Sequence, residues 1–450
     1  MKQKLALLVL VDVFLSLLAI FLATNFFIRS GAAFVKPLDM LIFTFIVLFS
    51  SYFLELYSRH KVYSLDIKDM LSSVGINFII SFFALSTIFF MLSSEDFGRR
   101  LIVSSLIIFI FLQLLWHYFF RTILKSSGMT QRVMILGTGD LARKMERIML
   151  FKGSQYVFAG YYDIVTDNRN ILADSASSKC KDLAEHVKEH TIDKIVVAME
   201  ERRGTFPLKE LLTCKFAGVE IVDSAAFYEE IMGKMHLENI TPGWFIFSDG
   251  FKLSSTRKTI KRVMDILFSI MGIIMSFPLV AIISILIKCD SKGPILYKQL
   301  RMGEGERNFL LYKFRTMRED AENGTGAVWA QENDKRITRV GSILRKLRLD
   351  EIPQFFNVLK GDMSFIGPRP ERPEFVEQLK KTIPYYMNRH FVKPGISGLA
   401  QVRYRYGASR HDSFEKLCYD LYYIKHLSPL LDTAIFIDTI KVVLLGKGAR

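Results

Sequence analysis

Four long apolar runs open the chain, approximately Leu5–Ile28, Leu38–Tyr57, Met70–Leu92 and Leu101–Phe120. Each is long enough to cross a hydrocarbon core of roughly 30 Å as a helix, so a four-helix transmembrane bundle is expected over residues 1–125. The polar positions between the runs set its orientation. Lys2 and Lys4 precede the first run, Arg59, Lys61 and Lys68 separate the second from the third, and Arg121, Lys125 and Arg132 follow the fourth. The opposite loops carry Arg29, Lys36, Arg99 and Arg100. This modest bias places both ends of the bundle in the cytoplasm. The first run is longer than a signal-peptide core and no small-residue cleavage site follows it, so it reads as a retained span.

Beyond Ser126 the pattern shortens. Val133–Leu136 is an apolar run that enters the turn Gly137-Thr138-Gly139-Asp140-Leu141-Ala142, and strand-like runs recur at Val157–Tyr162 and Lys194–Ala198 with helical stretches between. Alternating strands and helices predict a parallel α/β domain, placed at residues 126–237, with a linker at 238–257 containing Thr241-Pro242-Gly243 and Ser254-Ser255. A fifth apolar run, Val263–Ile287, is flanked by Lys258, Lys261 and Arg262 on one side and Lys288, Lys292, Lys298 and Arg301 on the other. Positive charge at both ends, with Pro278 inside, predicts a helix over 258–290 that enters the membrane, bends and leaves on the same face. The alternative is an ordinary fifth span with a proline kink. Residues 291–450 have the composition of a soluble domain, ending in an apolar stretch, Leu430–Leu445, that suits an interfacial helix or packed core.

Composition sharpens this division. Half of the 450 residues are hydrophobic, yet the formal net charge is +15. Together these point to a membrane protein whose cations meet anionic headgroups or phosphorylated ligands. No nucleic-acid motif accompanies the charge, and no nucleic-acid partner is expected. Cys180, Cys214, Cys289 and Cys418 are scattered, which indicates reduced thiols rather than a zinc site or disulfide framework.

The densest chemistry lies in the last segment. Ser342 reads as the N-cap of a short basic helix bringing Arg345 and Arg348 near Asp350 and Glu351. Pro353 suits the first turn of a second helix running to Lys360 and stopped by Gly361. Adjacent carboxylates among arginines can bind Mg²⁺, or one can attack phosphorus while cations neutralise the departing phosphate. Salt bridges at a surface helix start are the plainer alternative. Gly361-Asp362-Met363-Ser364-Phe365-Ile366-Gly367-Pro368-Arg369-Pro370 is a glycine- and proline-fixed loop presenting a guanidinium suited to phosphate. Tyr312–Met317 alternates as a strand with Lys313 and Arg315 on one face, and Lys393-Pro394-Gly395-Ile396-Ser397-Gly398 is a second constrained loop.

This series resembles the catalytic domain of the bacterial sugar transferases, the monotopic phosphoglycosyl transferase superfamily. The matching stretches are Lys261-Arg262-Val263-Met264-Asp265, Tyr312–Met317, Leu349-Asp350-Glu351, Asn357–Pro370, Pro394–Val402 and Asp420-Leu421-Tyr422-Tyr423, in the family's order. The leading bundle and α/β domain look like those of the large members that initiate exopolysaccharide or O-antigen synthesis, where the α/β domain is Rossmann-like. Arg403–Ser409 looks like the branch associated with PEP-CTERM sorting.

The resemblance implies that Asp350 attacks the β-phosphorus of a nucleotide sugar, and that polyprenyl phosphate then accepts the phosphosugar. It implies a magnesium contact at Asp350, an acid or base role for Glu351, phosphate contacts from Arg345 and Arg369, and a supporting Asp420. Lys313 and Arg315 are carried over as phosphate or substrate ligands, and Lys261, Arg262, Asp265 and Pro278 as the re-entrant anchor. Uridine, undecaprenol, membrane lipids as partners, a bacterial inner-membrane location with a cytosolic catalytic domain, and scope for a homodimer come from the resemblance alone. Phe277 and Leu399 depart from the usual serine and tryptophan. The main rival is a membrane-tethered nucleotide-sugar dehydratase or epimerase, suggested by Gly137-x-Gly139-x-x-Ala142 with Asp163 about twenty residues on. Its Tyr-x-x-x-Lys pair occurs only as Tyr57–Lys61, outside a nucleotide domain. A further alternative is an inactive membrane scaffold.

Overall fold

A computed structural model describes residues 2–28, 36–54, 56–57, 67–91, 99–126, 130–152, 156–162, 183–199, 206–240, 242–251, 254–318, 336–404, 407 and 409–444. Asp163, Cys180, Lys61, the segment 319–335, Arg405, Tyr406 and Ala408 lie outside them. Contacts divide the chain into two compact units, residues 1–227 and 228–450.

In the first unit the apolar runs fold as α1 (Lys2–Ile28), α2 (Pro37–Phe53), α3 (Ile67–Met91) and α4 (Arg99–Ser126). Ala19, Ala23, Phe43, Leu85 and Phe109 are buried between helices, while Phe14, Phe45, Phe83 and Phe111 point outward and stay exposed. A continuous apolar exterior of this kind suits lipid rather than water. By length and composition α1, α3 and α4 can each cross a membrane, as can α10 (Ser255–Asp290) in the second unit. The second expected span is shorter than its apolar run. Helix α2 has 17 residues, about 26 Å, because the chain turns after Phe53 and Tyr57 donates its hydroxyl to Asp12 of α1.

The α/β part is a four-stranded parallel sheet in the order β2-β1-β3-β4. Its strands are β1 (Gln131–Leu136), β2 (Tyr156–Tyr162), β3 (Lys194–Val197) and β4 (Glu220–Asp223), with helices α5 (Asp140–Lys152), α6 (Leu183–Glu189), α7 (Leu208–Phe216) and α8 (Ser224–Met232) between and after them. Both sheet faces are covered, which is why Val133–Leu136 and Lys194–Val197 read as unbroken buried runs. Gly137 has a packing reason of its own. Its φ is +116°, and a Cβ there would stand 2.8 Å from the carbonyl oxygen of Ala198, at the end of β3. The first glycine of the fingerprint is thus required by the sheet itself, without a bound dinucleotide.

The second unit begins inside α8. Residues 228–251, which include α9 (Pro242–Phe247), are tied to α15 (Arg410–Lys425) by Lys234–Glu415 at 2.5 Å and Lys425–Glu229 at 2.8 Å. Phe245 lies 4.7 Å from the Tyr385 ring, so this part of the expected linker is packed. Then come α10, the antiparallel hairpin β5 (Leu296–Met302) and β6 (Asn308–Phe314), α11 (Arg339–Lys346), α12 (Gln354–Lys360), and the parallel pair β7 (Ser364–Ile366) and β8 (Gly395–Ser397). Helices α13 (Pro373–Thr382), α14 (Leu399–Arg403), α15 and α16 (Pro429–Leu444) complete a small α/β domain. Helix α16 buries Ile435, and its Asp432 accepts from the Tyr423 hydroxyl at 2.7 Å, while Leu430 remains exposed.

Helix α10 runs unbroken through Pro278 for 36 residues. Its first third is pinned by polar side chains. Lys261 Nζ donates to the Ile366 carbonyl at 2.9 Å and to Asp432 at 2.8 Å. Arg262 donates to the Val358 and Leu359 carbonyls at the C-terminal end of α12, and Asp265 accepts from Ser364 Oγ and the Phe365 amide. Its last third is pinned by packing: Ile283 and Ile287 share a core with Phe314 and Leu344, and Asp290 accepts from the Val340 amide at 3.0 Å. Between these anchors Ile274, Met275 and Phe277 are exposed.

Candidate active site

Two short helices aim the acidic pair. Helix α11 starts four residues before the position read from sequence. Its N-cap is Thr338, whose hydroxyl accepts from the Gly341 amide, and Ser342 lies within the helix. Thr338 wins because its amide also bonds the Thr316 carbonyl, which fixes the helix start beside the end of β6. Helix α11 ends at Lys346, and Arg348 turns the chain with a left-handed φ of 55°, an uncommon conformation for a residue with a Cβ. Leu349–Glu351 then form a single 3₁₀ turn, followed by α12, which runs from Gln354 to Lys360 and stops at Gly361 in the left-handed region. Asn357 locks this arrangement to the hairpin, donating to the Leu310 carbonyl at 2.7 Å and accepting from the Tyr312 amide at 3.0 Å.

Asp350 and Glu351 are both largely buried on this turn. Lys313 of β6 reaches Glu351 Oε1 at 3.1 Å and Asp350 Oδ2 at 3.6 Å. Arg369 Nη2 donates to Glu351 Oε1 at 2.9 Å. Burial opposes ionisation of Glu351, but Lys313, Arg369 and Arg348 outweigh it and hold the carboxyl below the ordinary glutamate range. Asp350 is pushed the other way, raised chiefly by burial and also by the neighbouring Glu351 charge, with Lys313 opposing. The pair therefore combines a firmly ionised, cation-bound glutamate with an aspartate that keeps an oxygen clear of tight pairing. Removing Lys313 takes away the largest influence favouring Asp350 ionisation. Lys313→Met is accordingly expected to move the acid limb of the pH–rate profile to higher pH, read from kcat/KM across the acid range; an unmoved limb contradicts this placement.

Arg369 owes its position to backbone packed on backbone. A Cβ on Gly367 would lie 2.4 Å from the Lys393 carbonyl oxygen, and one on Gly395 would lie 2.1 Å from the Gly367 amide nitrogen. The two glycine loops noted in the sequence are thus two sides of one contact, the parallel pair β7–β8. Gly367→Ala is expected to cost about 3 kcal/mol, seen as a lower thermal midpoint of the purified protein in detergent. Beneath the loop, buried Arg389 donates to the Arg369 carbonyl at 2.9 Å and to the Tyr386 hydroxyl at 2.8 Å, and lies 2.8 Å from Asp420.

The residues singled out from sequence therefore separate into groups. Asp350, Glu351, Lys313 and Arg369 come together. Arg345 stands one step away, its Nε donating to Thr316 Oγ1 at 2.9 Å while its charge favours the ionised form of Asp350. Arg315 does not share the face of Lys313: it follows β6, is buried, and donates through Nη2 to the Ser291 carbonyl at 2.7 Å, closing the C-terminal end of α10. Asp420 lies under the site and acts on Arg389, with no direct reach to the acidic pair. Lys261, Arg262 and Asp265 fasten α10, and Pro278 lies within it. Arg389 and Tyr386 escaped sequence reasoning, and Asn357 entered it only as the start of a matching stretch, with no role. Arg389 sits in a 3₁₀ turn, Tyr386–Phe391, and no periodic pattern marks such a position.

The profile of bacterial sugar transferases matches residues 256–446, the stretch containing every side chain just described. A UDP-N-acetylgalactosamine-undecaprenyl-phosphate N-acetylgalactosaminephosphotransferase of Aeromonas hydrophila is 44% identical over 240 residues, covering 53% of this chain and 56% of its own. A UDP-glucose:undecaprenyl-phosphate glucose-1-phosphate transferase of Klebsiella pneumoniae is 34% identical over 299 residues, 65% of this chain and 61% of its own. The chain thus spans little more than half the length of these two relatives. The exopolysaccharide production protein PSS of Rhizobium leguminosarum bv. phaseoli is 38% identical over 198 residues, 42% of this chain but 98% of its own length. A relative matched over almost its whole length, together with the family profile over the stretch that builds the acidic turn and its cations, leaves one conclusion: the chain belongs to the bacterial sugar transferase family.

Proposed function

We propose that this protein transfers a sugar 1-phosphate from a nucleotide diphosphate sugar to polyprenyl phosphate, initiating a surface polysaccharide. The observation that carries the proposal is the buried turn holding Asp350 beside a cation-bound Glu351, faced by Lys313 and Arg369. The activities by which the Aeromonas and Klebsiella relatives are named support a uridine diphosphate sugar as the donor, with uridine monophosphate as its leaving portion, and undecaprenyl phosphate as the acceptor.

In the proposed first step an Asp350 oxygen attacks the β-phosphorus. The bond from that phosphorus to the bridging oxygen breaks, and its electron pair leaves on the nucleoside monophosphate. Lys313 and Arg369 offset the charge that builds on the phosphoryl oxygens. In the second step a phosphate oxygen of the polyprenyl acceptor attacks the same phosphorus and the bond to Asp350 breaks, restoring the carboxylate. Glu351, held ionised, accepts a proton from the acceptor where one is present. Mg²⁺ fits this arrangement in the way it fits other phosphate sites, on one or two carboxylates with the rest of its shell from substrate and water. Asp350 is the residue assigned to hold it, where it would neutralise diphosphate charge. Among the described residues no cluster of three or more His, Cys, Asp and Glu offers an all-protein cage.

The architecture proposed for this chemistry is a four-span bundle over residues 1–125, a Rossmann-like cytosolic domain, and α10 as a re-entrant anchor. Both ends of α10 are fastened to one polar domain, which favours both ends lying on the same side of the membrane. The inner membrane, with the catalytic domain in the cytosol, is where a soluble nucleotide sugar meets a lipid carrier. The test is product analysis with purified protein, Mg²⁺, polyprenyl phosphate and a panel of nucleotide sugars. Nucleoside monophosphate with a lipid-linked sugar phosphate is the expected outcome; diphosphate release or cofactor reduction would contradict it.

A further inference from the structure

The transferase chemistry makes no use of a polar core buried between α1, α2, α3 and α4. Asp12 of α1 is fully buried, and three groups converge on its Oδ2: the Tyr57 hydroxyl and Gln113 Nε2 donate at 2.8 and 2.9 Å, and His117 Nε2 lies at 3.0 Å. Gln113 and His117 belong to α4. The network continues through Ser51, which accepts from Gln113 at 3.1 Å and from Asn77 of α3 at 2.9 Å, and through Ser50 and Ser81, which bond Asn77. The helices are predominantly apolar, so composition does not force these side chains inward. Polar groups at such depth destabilise a membrane bundle unless they pair, and an ionisable one there marks a site.

Tyr57 and Gln113 both donate to Asp12 Oδ2, an arrangement that suits an ionised carboxylate, and His117 Nε2 faces the same oxygen in a contact that places a proton on one partner or the other. Among the described residues, Oδ1 of Asp12 is buried with no hydrogen-bond partner. A carboxylate so enclosed needs a compensating positive charge. Among the described residues facing it, Tyr57, Gln113, Asn77, Ser50, Ser51 and Ser81 are neutral donors or acceptors, and His117 is the group that can supply one. A neutral imidazole with its hydrogen on Nε2 would donate equally well but leave the charge unbalanced.

We propose that Asp12 and His117 form a proton-binding site inside the membrane bundle, with one proton held on His117 as imidazolium against the Asp12 carboxylate. Loss of that proton leaves a lone carboxylate at the junction of all four helices, so bundle packing is linked to proton occupancy.

The test is ¹⁵N NMR of the full chain, labelled at histidine and held in lipid bilayers near neutral pH, with His117 assigned through His117→Gln. The expected result is a doubly protonated His117 ring in the wild type and a singly protonated ring in Asp12→Asn, which keeps shape and acceptor but removes the charge. Tyr57→Phe, which removes a neutral donor, is expected to leave the ring doubly protonated. A singly protonated ring in the wild type overturns the proposal, as does a doubly protonated ring that survives Asp12→Asn. The wild-type spectrum decides the matter even where Asp12→Asn fails to assemble.

Discussion

Asp350→Asn in the full chain is expected to lower nucleoside monophosphate release by at least roughly a thousandfold, with the protein still folded. The amide occupies the same volume on the Leu349–Glu351 turn, and the Lys313–Glu351 and Arg369–Glu351 contacts at 3.1 and 2.9 Å do not depend on it. What disappears is the carboxylate oxygen proposed as the nucleophile. Glu351→Gln is a different kind of lesion. It strips the counter-charge from Lys313 and Arg369, so its loss of rate is expected to come with altered donor binding. Kinetics over a range of donor concentrations at saturating Mg²⁺ separate the two: a loss mainly in kcat for Asp350→Asn, and a change in both kcat and KM for Glu351→Gln. Equal residual rates for wild type and Asp350→Asn would remove Asp350 from the mechanism.

The second large effect is expected under the site. Asp420 and Arg389 are both almost fully buried and 2.8 Å apart. Burial penalises the Arg389 charge, but Tyr386 and Asp420 more than offset this and hold the guanidinium protonated. Taking away Asp420 alone leaves that cation uncompensated. Asp420→Ala is therefore expected to cost about 3–5 kcal/mol of stability, measured by chemical unfolding in detergent. Arg389→Met is expected to cost less stability for its size, because it removes the charge, yet to lower activity through Arg369, whose carbonyl Arg389 holds at 2.9 Å. The paired change Asp420→Leu with Arg389→Met is expected to be more stable than Asp420→Ala. A double variant no more stable than the single one would mean that the pair is not a coupled unit.

These expectations also mark where sequence was informative. Apolar run length located α1, α3, α4 and α10, since a helix in lipid must be both long and apolar to satisfy its backbone. The boundary of α2 was missed because Leu54–Tyr57 continue the apolar pattern while Tyr57 turns toward Asp12, a tertiary contact with no local signature. The glycines of residues 361–370 and 395–398 were legible as constrained loops, but not as partners, since backbone contact between Gly367 and Gly395 depends on β7 pairing with β8. Strand alternation placed Lys313 well and Arg315 badly. The alternation holds only to Phe314, where β6 ends, and one residue later Arg315 follows the end of α10 instead. The reading of Ser342 as the cap failed for a similar reason: Thr338 is an equally acceptable cap, and its amide bond to the Thr316 carbonyl fixes the helix start there. Arg389 and the Asp12 network are long-range assemblies of single residues, and periodicity carries no information about them.

The claim at the centre of this account is that Asp350 carries the phosphosugar between donor and lipid. The most direct measurement mixes the purified full chain with Mg²⁺ and its nucleotide sugar, without polyprenyl phosphate, and follows both released nucleotide and intact protein mass. The account predicts a burst of nucleoside monophosphate no larger than one per chain, a mass increase of one phosphosugar located by peptide mapping at Asp350, and loss of that adduct when polyprenyl phosphate is added. Nucleotide release that requires the lipid acceptor from the start, with no adduct on a chain that turns over normally, would contradict it.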